Sequence, residues 1–301
     1  MNNIKKIYDC VTFFNELELL EMRLLIMNEY VDYFVIVEAN RTFRGTEKPF
    51  YFEQEKERFN SYLHKIIYVK VEDMPIAIDK NDWSPDFFQR NCILRGLSQC
   101  NDNDLIIMSD VDEIPSPEVL KGLRKNKLPL SFYFKEQKRK RRNNRYIKWF
   151  FKIRILSAFS QIGNYPLVCQ QDLYYYYLNC KSSGEWFGSI ICKYKIFDNP
   201  QRIRDLRFKI PRIRNGGWHF SYLGGLEKVV LKLKNINEGD IANYDSVFLQ
   251  KCINEGIDLF ERKGKEYEYT FTDREHIGNN AIKDIAFKYP HLVSSLKNNS
   301  N

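Results

Sequence analysis

The chain has 301 residues, 44% hydrophobic and 15% aromatic, the composition of an ordinary globular protein able to bury a large core as one domain or two unequal lobes. Its formal charge of +8 and pI near 8.9 favour an anionic partner without choosing among nucleotide sugars, nucleic acid and an acidic membrane face. The seven cysteines, at 10, 92, 100, 169, 180, 192 and 252, form no Cys-x-x-Cys pair and no histidine stands at zinc-finger spacing, which argues against a disulfide framework or a structural zinc site.

Reduced thiols are therefore expected. Residues 1–8 are polar and lysine-bearing, and no run of the sequence approaches bilayer-spanning length. The expectation is a cytoplasmic protein, peripheral at most to the inner membrane face.

The first 125 residues alternate strand-like and helix-like segments, the pattern of an α/β domain with a largely parallel sheet. Residues 7–14 predict a first strand, 17–30 a helix, 33–37 and 66–71 short buried strands, and 105–109 a fourth. Before the fourth strand, Ser84 and Pro85 suit a helix start, and Phe87, Ile93, Leu94 and Leu97 form its apolar stripe. Arg90 falls inside that stripe, where a guanidinium needs an anion: a neighbouring carboxylate in a structural ion pair or, functionally, the diphosphate or the acidic cluster.

The run Leu105-Ile106-Ile107-Met108-Ser109-Asp110-Val111-Asp112-Glu113-Ile114-Pro115 delivers three carboxylates to one turn directly after a buried strand. In extended backbone Asp110 and Asp112 point the same way and Glu113 faces elsewhere. Asp110 and Asp112 are thus candidates to hold Mg2+ or Mn2+, with coordination positions left for nucleotide phosphates. The plainer reading is an acidic turn ahead of a helix that Ser116 caps, Pro117 opens and Glu118 favours, and both readings can hold together.

Residues 129–167 change character: five consecutive basic residues at 138–142 precede Arg145, Lys148, Trp149, Phe150 and Phe151. This is either a solvated charged loop leading into a core helix or a membrane-surface helix whose cations meet anionic lipid. No nucleic-acid motif accompanies it. Further on, paired glycines bracket an aromatic stretch, Gly216-Gly217-Trp218-His219-Phe220-Ser221-Tyr222-Leu223-Gly224-Gly225, in which Trp218 suits a sugar face and His219 a metal or phosphate. Helices are expected over 226–234 and 246–255, and a frayed tail over 294–301.

Several of these segments, in order, resemble glycosyltransferase family 17, the group that includes the β-1,4-N-acetylglucosaminyltransferase making bisected N-glycans. They are Tyr8-Asp9-Cys10-Val11-Thr12-Phe13-Phe14-Asn15-Glu16, Val37-Glu38-Ala39-Asn40 with Thr42-Phe43 and Gly45, Gln89-Arg90-Asn91, the acidic run, and the glycine-bracketed block. The resemblance implies a GT-A-like, single Rossmann-like α/β domain over 1–275. Within it a mixed, mostly parallel central sheet precedes C-terminal helices, 129–167 is an insertion, and a tail follows over 276–301. It also implies a UDP-sugar donor, UDP-GlcNAc in the best-known members, a glycan or glycolipid acceptor, and inversion at the anomeric carbon.

Carried over by that likeness, Asp110 and Asp112 match the metal- and diphosphate-holding acid pair, with Arg90 before them. Glu38 and Asn40 fall where such folds hold the nucleoside, Trp218 joins the donor site, and His219 is a further metal ligand. Where a Ser-Phe-x-His-x-Glu-like stretch is expected, this chain has Asn235-Ile236-Asn237-Glu238-Gly239-Asp240. Candidates for the base that takes the acceptor proton are Glu185, Asp240 and Asp172. Two rival readings share these residues: nucleotidyl transfer, which lacks a glycine-rich phosphate loop here, and a non-catalytic, membrane-associated carbohydrate-binding protein.

Overall fold

The computed structural model describes residues 6–79, 81–128, 162, 164–235, 245–277 and 280–295. The basic run, Asp240 and the last six residues lie outside the described residues. Ten strands form one mixed sheet: β1 (Ile7–Phe13), β2 (Tyr33–Ala39), β3 (Ile66–Val71), β4 (Leu105–Asp110), β5 (Glu113–Pro115), β6 (Leu167–Tyr175), β7 (Cys180–Lys193), β8 (Arg212–Ile213), β9 (Gly217–Ser221) and β10 (Tyr269–Phe271). Along the sheet the order is β3-β2-β1-β4-β7-β6-β9-β5, with β10 on β7 and β8 on β6.

β1 pairs in parallel with both β2 and β4, and β2 with β3, so the N-terminal half is a parallel α/β layer. β1, β2 and β4 are buried on both faces, and alternation sorts their side chains cleanly. Ile7, Val11, Phe34, Ile36, Leu105 and Ile107 enter one core; Tyr8, Cys10, Val35, Val37, Ile106 and Met108 enter the other. The first core is covered by α1 (Leu17–Met27) and α4 (Pro117–Arg124), the second by α3 (Ser84–Asn91) and the single-turn helix Cys92–Gly96. A four-residue α2 (Tyr51–Gln54) lies between β2 and β3.

In the second half β7 joins β4 antiparallel and leads into β6, which pairs in parallel with β9. α5 (Pro200–Asp205) sits on the side of α3, while α6 (Gly225–Asn235) and α7 (Ser246–Glu255) pack over a third core of Tyr175, Tyr176, Val229 and Leu249. Within the expected tail over 276–301, α8 (Asn280–Lys288) and the turn after it put Ile282, Ile285, Ala286 and Leu292 into the first core. Their i, i+3, i+4 spacing is the signature of an amphipathic helix.

Most segment boundaries match the sequence pattern, and the exceptions have local causes. α1 stops at Met27 rather than Tyr30, because Asn28 and Tyr30 close turns onto Leu24 and Met27. Ser84 is the first residue of α3 and not its cap; Trp83 holds the cap position and Asp82 accepts the Ser84 N–H at 2.9 Å. Ser116 caps α4 as expected, accepting the Val119 N–H. All seven cysteines are free, and among the described residues no helix is long and apolar enough to cross a membrane.

Candidate active site

β4 carries the acidic turn to the carboxyl edge of the parallel strands, between β1 and β7, where open α/β sheets bind their ligands. The turn is held from below by Arg23, a fully buried arginine in the otherwise apolar face of α1. Asp9 and Ser109 share the sheet face that α1 covers. Arg23 donates to both Asp9 oxygens at 2.6 and 2.5 Å, to Ser109 Oγ at 2.5 Å and to the Glu113 carbonyl at 2.7 Å. A buried guanidinium with all its forks engaged fixes the backbone that follows it.

Above this anchor the three carboxylates diverge. Glu113 turns inward and is fully buried; its oxygens accept from Trp186 Nε1 at 2.6 Å, from Arg204 at 2.6 and 2.8 Å, and from the Asp110 N–H at 3.1 Å. Asp110 lies on the opposite sheet face from Ser109. It accepts from Arg204 at 2.8 Å and Arg90 at 3.2 Å, with 34% of its side chain exposed to the cavity. Arg90 completes its fork on Asp86, with two bonds of 2.9 Å, and contacts Gln201. Gln201 in turn donates its N–H to Asn91, which ties α5 to α3. Arg90 therefore makes a structural ion pair with Asp86 and also reaches the acidic cluster through Asp110.

These charges set the ionisation of the site. Burial alone would raise the Asp110 carboxyl, but Arg204 and Arg90 outweigh it and bring it down to about 2. Burial likewise opposes ionisation of Asp112, and Lys232 and His219 overcome it, holding that carboxyl well below its ordinary range. For Asp86 burial dominates and the carboxyl is raised. Despite burial, both Arg90 and Arg204 are shifted upward, Asp110 contributing most to each rise.

Asp112 faces away from the arginines. Its Oδ1 lies 3.4 Å from His219 Nε2 and its Oδ2 accepts from Lys232 Nζ at 3.0 Å. His219 stands on β9 opposite Glu113, stacked on Trp186 with ring centres 4.5 Å apart, and its Nδ1 is buried without a hydrogen-bond partner. Asp112 and His219 fit a divalent cation as two hard or borderline ligands on one side. Both aspartates are already engaged by cationic partners, Asp110 by the Arg90 and Arg204 guanidinium groups and Asp112 by Lys232 and His219, so an ion would share or displace these contacts. Among the described residues no third His, Cys, Asp or Glu completes a metal cluster, so such an ion would draw its other ligands from the donor and water.

Asp110, Asp112 and His219 open into a cavity of about 470 Å3. Thr12, Phe13 and Phe14 at the end of β1, with Thr42 and Phe43 after β2, line one end; Glu185, Trp186, Phe187 and Phe208 line another. Glu185, opposite Asp172 in the β6–β7 ladder, is exposed at the cavity rim, and its side chain has no hydrogen-bond or ion-pair partner among the described residues.

Four expected site residues lie elsewhere. Glu38 is fully buried, where it accepts from Lys48 (2.8 Å), the Tyr51 and Phe52 N–H groups and Tyr68 OH (2.8 Å); it anchors α2 and is not in the cavity lining. Asn40 pairs through its backbone with Val71 and Lys48 and is not in the cavity wall. On β6 and β9, Leu173 and His219 are neighbours facing the cavity, so alternation turns the neighbouring pair Asp172 and Trp218 to the other face. There Trp218 joins the first core and Asp172 pairs with Lys181 at 2.7 Å. Asp240 falls outside the described residues.

The sequence reading missed Arg23, Arg204 and Lys232. Arg23 had a signal, a lone cation amid buried Leu19, Leu20, Met22 and Leu24. Arg204 and Lys232 had none, since each reaches the turn from more than 90 residues away.

The fold is a mixed α/β sheet of Rossmann-like type with an acid-and-arginine crevice at its strand ends. Residues 1–137 match the model of glycosyltransferase family 17, the likeness that the motifs implied. The β-1,4-mannosyl-glycoprotein 4-β-N-acetylglucosaminyltransferases of Rattus norvegicus and Homo sapiens are each 27% identical over 118 residues, and that of Mus musculus 26%. These alignments cover 37% of this chain and 22% of each relative. Trp186, Arg204, His219 and Lys232, which complete the crevice, lie beyond the matched family region.

Proposed function

We propose that this chain is a metal-assisted, inverting glycosyltransferase of GT-A type. It moves a sugar, N-acetylglucosamine by its likeness to the relatives, from a UDP-sugar to a hydroxyl of a glycan or glycolipid acceptor at the inner membrane face. The observation that carries this reading is the acidic turn itself: ionised Asp110 and Asp112, flanked by Arg90, Arg204 and Lys232, on the floor of a cavity large enough for a nucleotide sugar.

Asp112 and His219 are the residues to hold Mn2+ or Mg2+, which when bound supplies electrophilic stabilisation of the departing diphosphate. Arg90 and Arg204 remain charged and bring positive potential to the same corner without reorganisation, because Glu113, Asp86 and the Gly188 carbonyl hold them in place. Glu185 is the base: an exposed carboxylate on the cavity wall, at its ordinary task of accepting a proton. The acceptor oxygen bonds to the anomeric carbon as the bond from that carbon to the diphosphate oxygen breaks. Glu185 takes the hydroxyl proton, and UDP leaves with the bonding pair.

Product analysis tests this. UDP-sugar and acceptor should yield UDP and glycoside, whereas nucleotidyl transfer would consume a nucleoside triphosphate and release pyrophosphate. Glu185→Gln should lower kcat by about 100-fold or more with little change in donor binding. Full turnover in that variant would place the base elsewhere.

A further inference from the structure

On the cavity-lining rings of Trp186, Phe187 and Phe208, at what forms one lip of the cavity, rest two arginines that pair with no described carboxylate in an ion pair. Arg207 lies with its guanidinium carbon 5.3 Å from the Trp186 ring centre and 4.8 Å from that of Phe208, and Arg212 lies 4.0 Å from that of Phe187. Phe187 and Phe208 meet edge to face at 5.9 Å, and Phe208 is 59% exposed. Other arginines around the cavity are matched: Arg90 by Asp86, Arg204 by Glu113, Arg262 by Asp258. Arg207 and Arg212 have ring faces as neighbours and no carboxylate partner among the described residues.

A guanidinium stacked on an aromatic ring keeps its planar fork free for a carboxylate or phosphate, and the exposed ring beside it accepts the apolar face of a sugar. From this interleaving we infer that the lip is a subsite for an anionic saccharide, a sugar ring bearing a carboxylate or phosphate group. That saccharide is the acceptor if the glycosyltransferase reading holds; the binding itself does not require that reading. Like charge keeps the anionic group off Glu185 and directs it to Arg207 and Arg212, which leaves an uncharged hydroxyl to face the carboxylate.

Intrinsic tryptophan fluorescence of the full chain, titrated with glucose, glucuronic acid, glucose 6-phosphate and inorganic phosphate, tests the inference. At least one anionic sugar should bind about ten-fold or more tightly than glucose, and also more tightly than phosphate alone. Whichever anionic sugar binds more tightly identifies carboxylate or phosphate as the group read. Arg207→Gln and Arg212→Gln should each remove most of that preference, and Phe208→Ala should weaken glucose and anionic sugars together. Thermal midpoints monitor folding, and the exposed positions Arg212 and Phe208 keep the test valid if Arg207→Gln is unstable.

Equal affinity for glucose and both anionic sugars would overturn the inference. So would phosphate binding as tightly as glucose 6-phosphate, or wild-type behaviour of both Arg212→Gln and Phe208→Ala. UDP titrated in the same preparations separates the two readings. Loss of UDP binding with anionic-sugar preference intact defeats the transferase reading alone, and the reverse result defeats the lip alone.

Discussion

Asp110 illustrates how a single carboxylate couples stability to the site. Its folded-state pKa of about 2 lies below the ordinary 3.8 because Arg204 and Arg90 overcome the cost of burial. Its stabilising contribution is therefore fully present above about pH 4 and is lost as pH falls toward 2. Asp110→Asn should lower the thermal midpoint at pH 7, and the gap to the wild type should close as pH falls through that window. A gap that stayed constant to pH 2 would show that the arginines do not favour the ionised form. Arg90 and its anion were legible from helical phase alone, whereas Glu38 misled: an acid at a strand end reads as a ligand, yet its four donors make it a cap for α2.

At the scale of elements, the β5–β9 ladder decides where His219 sits relative to the acidic turn, since Glu113 pairs with His219 and Pro115 with Gly217. Gly217 adopts φ +129°, and a Cβ there would fall 2.0 Å from the Ile114 carbonyl oxygen. Gly217→Ala should cost roughly 1–3 kcal/mol in chemical unfolding, and more than the average surface substitution. An unfolding curve like that of the wild type would mean the ladder is not as close as described. The parallel strands and their helices were readable because each buries a continuous apolar run. Strand β9 was harder: its alternation sends His219 to the cavity and Trp218 to the core, and nothing in a run of aromatics says which face is which.

For the molecule as a whole, the alternating pattern of the first 125 residues made the parallel half of the sheet legible, while its closure by the distant β4–β7 and β6–β9 pairings was not, because partners so far apart in sequence leave no local trace. Within the expected 276–301 tail, α8 carried a local amphipathic spacing at Ile282, Ile285 and Ala286, but the core it packs against is assembled from strands and helices far upstream. The basic segment supports the proposed placement at an anionic membrane face; deleting residues 136–160 should abolish binding to anionic liposomes, and unchanged binding would rule that placement out. The site as a whole is tested most directly by UDP release from UDP-GlcNAc, measured with and without Mn2+ for the wild type and Asp112→Asn. Release should depend on the metal and fall by about 100-fold or more in the variant; metal-independent release that Asp112→Asn leaves unchanged would contradict it.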